Sequence, residues 1–130
     1  MNDVVDFEDE ILESGNNGLF DCEFSSIDIV INKIAIYTGV KDNVPTENGL
    51  RTLIAFELDG EKSAFFTDSK RLKEEVLKPN RKYPFRAIIK VIMFGNNSGF
   101  KFFSPKSPIS QQDIDNFNYY QKTKRKNWRR

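Results

Sequence analysis

The chain has 130 residues, 38% of them apolar, and a net charge of +1, which is enough for one compact domain and slightly poor in core-forming side chains. One cysteine and no histidine exclude a disulfide framework, a cysteine-rich zinc site and Ser-His-Asp, Cys-His or His-ligated metal chemistry. No apolar run approaches the ~18 residues of a membrane span, and the acidic start MNDVVDFEDE lacks the basic-then-apolar order of a secretory signal, so a cytoplasmic protein is expected.

Residues 1–23 read as an acidic N-terminal arm, in which Val4, Val5, Phe7, Ile11 and Leu12 fit one short amphipathic helix before the flexible SGNNG at 14–18. Residues 25–37, SSIDIVINKIAIY, are β-branched and alternating. Ile27, Ile29 and Ile31 share one face, and Ile34 and Ile36 continue it one residue out of phase, which predicts a long strand bent by a bulge near Asn32 and Lys33. The Gly, Asp, Asn and Pro of residues 38–49 predict a polar loop.

Residues 50–67 give the strongest local signal: LRTLIAFEL, Asp59-Gly60, then EKSAFFT, a hairpin with a two-residue type I′ turn. That turn fixes the register. Ile54 opposite Phe65, Phe56 opposite Ser63 and Thr52 opposite Thr67 form the core face. Arg51 opposite Asp68, Leu53 opposite Phe66, Ala55 opposite Ala64 and Glu57 opposite Lys62 form the outer one. Residues 68–78 predict a helix capped by Asp68 or Ser69, with Leu72, Val76 and Leu77 as its apolar stripe and Pro79 as its stop. Residues 82–94 predict a second long strand, apolar on both faces through 87–94 except at Lys90. GNNSG at 95–99 is a turn, and residues 100–104 return as a short strand. Ser107-Pro108 opens a C-terminal helix with Ile114, Phe117 and Tyr120 on one face.

Charge is strongly polarised. Residues 1–30 carry nine acids and no base, residues 31–100 sum to +4 and residues 101–130 to +6. The basic run KTKRKNWRR at 122–130 is a candidate for polyanion contact.

The order of bent strand, loop, hairpin, helix, long strand, tight turn and short strand resembles that of OB-fold single-stranded nucleic-acid-binding proteins, especially short bacterial and phage ones. The resemblance covers residues 24–105 and rests on element order. It implies a mainly β protein: a five-stranded OB-like Greek-key barrel with one helix between strands 3 and 4, followed at 106–130 by a C-terminal helix and basic tail. It also implies a binding face over the second and third strands. The chain departs from replication-type relatives, which usually end in an acidic tip, by placing its acid first and its base last.

Sequence-independent binding of single strands needs cations along the phosphates and aromatic faces for the bases, worth roughly 1–3 kcal/mol per base. On the implied face and its borders the candidates are Arg51, Lys62 and Phe66 of the hairpin, Lys41 of the loop, and the outward-pointing Lys33, Arg86, Lys90, Lys101 and Phe103. Ala55 and Ala64 leave the middle of that face shallow. The tail adds Lys122, Lys124, Arg125, Lys126, Trp128, Arg129 and Arg130. Asp113 and Asp115 lie two apart on a helix and do not share a face, Glu8–Glu10 are consecutive in the arm, and the 95–99 turn lacks the sequence of a phosphate loop, so no catalytic residue, metal or cofactor is expected.

The leading expectation is a cytoplasmic, non-enzymatic binder of single-stranded DNA, with RNA as the alternative nucleic acid. A protein-interaction module (an adaptor or virion component) docking through its termini is the alternative function, and attachment by the basic tail alone is a third. Oligomeric state has no signal in the sequence.

Overall fold

The computed structural model describes Phe20 and residues 22–128, with side chains as far as Lys124; the helix expected around Val4 and Leu12 lies outside the described residues. Five antiparallel strands form one sheet: β1 (Ile34–Thr46), β2 (Gly49–Leu58), β3 (Glu61–Thr67), β4 (Phe85–Phe94) and β5 (Asn97–Phe103). Helix α1 (Lys70–Val76) joins β3 to β4, and α2 (Gln111–Trp128) follows β5. The strand order is β3-β2-β1-β4-β5. No ladder joins the edge strands β3 and β5 among the described residues, so the sheet is open.

The hairpin of β2 and β3 has the expected register, from Thr52 opposite Thr67 through Glu57 opposite Lys62. Asp59 (φ 53°) and Gly60 (φ 85°) adopt the left-handed pair of a type I′ turn. The start of the chain's β structure differs from expectation. Ile27–Val30 is a 3₁₀ turn capped by the Ser26 hydroxyl, which accepts from the Asp28 N–H. Ile27 and Val30, three residues apart, both reach the core, a spacing that fits three residues per turn and that the alternating isoleucines disguised. Residues 38–46, expected as loop, continue β1, and Glu47 and Asn48 turn it into β2. Their loop-like residues are absorbed by two breaks in register, between Tyr37 and Gly39 and between Lys41 and Val44, with Asn43 at φ 56°.

Residues 24–31 run from one edge of the sheet to its far half. Phe24 bridges Ala64 of β3, Ile31 bridges Ile89 of β4, and the Ser25 N–H donates to the Ala64 carbonyl at 2.8 Å. Helix α1 is capped by Ser69, whose hydroxyl accepts from the Leu72 N–H, and buries Leu72 and Val76; Leu77, expected in its stripe, is exposed at its end. Tyr37 sits at the centre of the core, its ring 5.1 Å from Phe102 and 5.5 Å from Phe85. Burial pushes its phenol well above the ordinary range.

On α2, Phe117 and Tyr120 pack against the core, whereas Ile114, expected beside them, is exposed. The helix begins with a reciprocal cap: the Ser110 N–H donates to Asp113 and the Asp113 N–H to the Ser110 hydroxyl. Asp113 also reaches Lys90, whose ammonium lies 2.9 Å from the carboxylate and donates to the Ser107 hydroxyl and the Pro108 carbonyl. Lys90 is 6% exposed. Its place as an outward cation for nucleic acid is therefore corrected: a lysine on a two-sided apolar strand is satisfied from within, by the segment leading into α2.

Partial burial works to raise the Asp113 carboxyl, but hydrogen bonds from Lys90 and Ser110 outweigh it and hold the group below the usual carboxylate range. A depressed folded-state value stabilises above the unfolded value near ~3.9 and is lost as pH falls through the folded one. Asp113→Asn is expected to cost about 1–3 kcal/mol at neutral pH, with the gap from the parent shrinking below pH ~4, as measured by urea denaturation across pH. Gly60→Val places a β-branched residue at φ 85° and should cost about 1–3 kcal/mol in the same assay.

Candidate nucleic-acid interface

Where β3 and β5 fail to meet, an open cleft of about 720 Å³ separates the end of β3 and the start of α1 from the start of β5 and the middle of α2. Among the described residues, four cations line it, Arg51, Lys70, Arg71 and Lys124, together with Phe66, Phe94, Phe100 and Tyr120, and the carboxylate on its wall is Asp68. A second groove of about 630 Å³ shares Ser98, Tyr120 and Lys124 with the first and continues past Tyr119 along α2, towards the basic end of the chain.

Cations and rings are paired within the cleft. The Arg71 guanidinium lies 4.2 Å from the centre of the Phe94 ring, and Phe94 is 41% exposed. Arg51 lies 5.6 Å from the Phe66 ring and makes a 3.0 Å ion pair with Asp68. Lys124 is 5.7 Å from the Tyr120 ring and 3.1 Å from the Asp28 carboxylate. Burial first, and then the neighbouring Asp28 carboxylate, push the Tyr120 phenol above its ordinary range. A guanidinium lying on a ring keeps in-plane N–H donors for phosphate, while the planar ring system offers a surface for a base.

The cleft gathers Arg51, Phe66 and Lys124 of the residues singled out from sequence. The others lie apart from it. Lys62 is exposed near the hairpin turn, opposite Glu57. Lys33, Lys41, Arg86, Lys101 and Lys122 are exposed. Phe103 is half-buried, with Lys90 and Lys101 over its ring at 4.9 and 5.5 Å. The side chains of Arg125, Lys126 and Trp128, and all of Arg129 and Arg130, lie outside the described residues.

The shallow face between β2 and β3 is not open. Leu53, Ala55 and Ala64 are buried, and Phe20 and Cys22 pack on them beside Phe66. Phe24 meets Phe66 edge-on, with ring centres 5.6 Å apart. Small side chains at Ala55 and Ala64 make room for the chain's own N-terminal segment, which takes the place considered for a base or for the C-terminal helix. Sequence reasoning also missed Lys70, Arg71 and Phe94. A Lys-Arg pair directly after the cap Ser69 and an aromatic directly before Gly95 were the available signals, but nothing local said that they face one another.

Among the described residues, no helix is long and apolar enough to cross a membrane, and no three His, Cys, Asp or Glu side chains form a group able to hold a metal ion.

Gly99 sets the position of Phe94: a Cβ there would come within 2.9 Å of the ring. Gly99→Ala should therefore shift the Phe94 ring resonances in a phenylalanine-labelled NMR spectrum, while stability changes by no more than about 0.5 kcal/mol, as for most surface substitutions.

No curated protein and no solved structure matches this chain. A family model covers residues 21–103, from just ahead of the 3₁₀ turn to the last residue of β5, and the chain belongs to that family, described as a domain of unknown function (DUF8468).

Proposed function

We propose that this protein is a non-enzymatic binder of single-stranded nucleic acid, DNA in the first instance, built on an OB-like roll and acting through the cleft between β3 and β5. The observation that carries the reading is the cleft's lining, which among the described residues brings four cations and four aromatic rings together with a single carboxylate, Asp68. Such a lining suits a polymer that presents phosphates and planar bases together. The topology supports the OB-like part: β1 pairs with both β2 and β4, and the chain crosses by way of α1 from the edge strand β3 to β4, as in a partly open Greek-key roll. The site is displaced from the outer face of the hairpin, which the chain's own residues cover, to the open seam. There α2 brings Lys124, a member of the basic run at 122–130, to the cleft.

The test is a titration with fluorescent oligo-dT at several salt concentrations. Phe94→Ala should cost about 1–3 kcal/mol at every salt concentration and leave the salt slope intact. Arg71→Gln should flatten that slope by about 0.7, and truncation after Gln121, with three or four engaged tail cations lost, by roughly two to three. If truncation alone abolishes binding and Phe94→Ala does nothing, the tail is the binding element. If the intact protein binds no oligonucleotide at ~50 mM salt, the protein-interaction reading replaces this one.

A further inference from the structure

We infer that Asp68 and Asp28 act as internal stand-ins for phosphate, holding two of the cleft's cations in place and setting the affinity of the site by competing with the ligand. The inference rests on the nucleic-acid reading of the cleft and adds its regulation. Arg51 of β2 and Lys124 of α2 both line the cleft, and each is met by one carboxylate, at 3.0 and 3.1 Å.

These acids come from different elements, the β3–α1 connection and the 3₁₀ turn; Asp68 is open to water, whereas Asp28 is held more firmly, with one carboxylate oxygen buried. Asp68 is 71% exposed against 26% for Arg51, and Lys124 is 44% exposed against 20% for Asp28, so each pair has one partner in contact with water through which a competing anion can enter, and the Arg51 pair, with the more exposed acid, exchanges at the smaller cost. Each cation also lies over a ring, which keeps it at the cleft wall whether its partner is a carboxylate or a phosphate oxygen. A phosphate arriving at Arg51 or Lys124 thus displaces a carboxylate from a cation that is already positioned. The ordering cost of a long side chain is met before the ligand binds, and the affinity is reduced by the competing ion pair.

Because the competing pairs weaken with salt, their removal has a defined signature. Asp68→Asn and Asp28→Asn should each tighten oligo-dT binding roughly 1.5- to 5-fold at ~50 mM salt. The gain should fade as salt rises, steepening the slope of log affinity against log salt by up to about 0.7 per released cation. In an Arg51→Gln background, Asp68→Asn should give no gain, whereas a general loss of repulsion between a carboxylate and the ligand would persist there. Circular dichroism melts confirm that each variant is folded, and Asp28→Ser replaces Asp28→Asn if the latter is not. An unchanged affinity for folded Asp68→Asn and the folded Asp28 variant, or a gain from Asp68→Asn that survives in the Arg51→Gln background, overturns the inference while the binding function stands. Absence of oligonucleotide binding by the parent overturns the functional reading and this inference with it.

Discussion

The whole sheet hangs on β1, which must serve two partners. It pairs with β4 through Ile34, Ala35, Ile36 and Tyr37, and with β2 from Ile36 to Thr46. β1 holds neighbours on both sides, and the two register breaks against β2 locally raise its twist and bend it. Tyr37 stands where both ladders overlap, and its ring fills the inside of the bend against Phe56, Phe85 and Phe102. The strand order leaves β3 and β5 at the two edges, without a ladder between them among the described residues. Bare edges are a liability, and each is dressed differently: β3 by the bridge from Phe24, and β5 by the packing of α1. What remains between them is the cleft.

Two surfaces of the hairpin have therefore taken opposite roles. The outer face, with Leu53, Ala55 and Ala64, is apolar and shallow, and burying it against Phe20 and Cys22 removes hydrocarbon surface from water. The seam gathers charged and aromatic groups that cannot be buried cheaply and so stay at a solvent-filled boundary. Phe66 belongs to both surfaces. It packs with the covered cluster and against the Phe24 ring, yet it lines the cleft and carries Arg51, which makes it the hinge between structure and site.

Helix α2 lies beyond the residues matched by the family, 21–103, and is nonetheless bound into the fold by a charged lock. Ion pairs with little solvent rarely add much net stability over apolar packing, because desolvation offsets attraction, but breaking one side of them is costly. Here the Lys90 ammonium is saturated by Ser107, Pro108 and Asp113, which ties the start of the helix to β4. That position places Tyr120 and Lys124 at the cleft. The ion pair acts together with the Asn116 amide on the Val91 carbonyl and the Tyr119 hydroxyl on the Asn96 carbonyl to set where a cation on the surface stands.

The parts legible in the sequence were those fixed by neighbours along the chain. Asp59-Gly60 fixes a two-residue turn, the turn fixes the register of residues 50–67, and alternation then says which side chains share a face. Ser69 and Pro79 bracket α1 in the same local way. Lys90 was visible as an anomaly, a lysine in a strand apolar on both faces, but its partner Asp113 lies on another element and no local rule connects them. Residues 25–30 and 38–46 were misread for a common reason. A 3₁₀ turn and a strand can share a run of isoleucines, and a bulged strand can share its Gly, Asp and Asn with a loop; what separates them is tertiary, the core that receives both Ile27 and Val30 in one case and the partners Ala55 through Gly49 in the other. The same holds for the cleft. Local sequence specified the turn, the register and the cap, because backbone geometry acts over a few residues. Only the tertiary fold brought Arg51, Arg71, Phe94 and Lys124 to one seam, because the contacts that define it join groups distant along the chain.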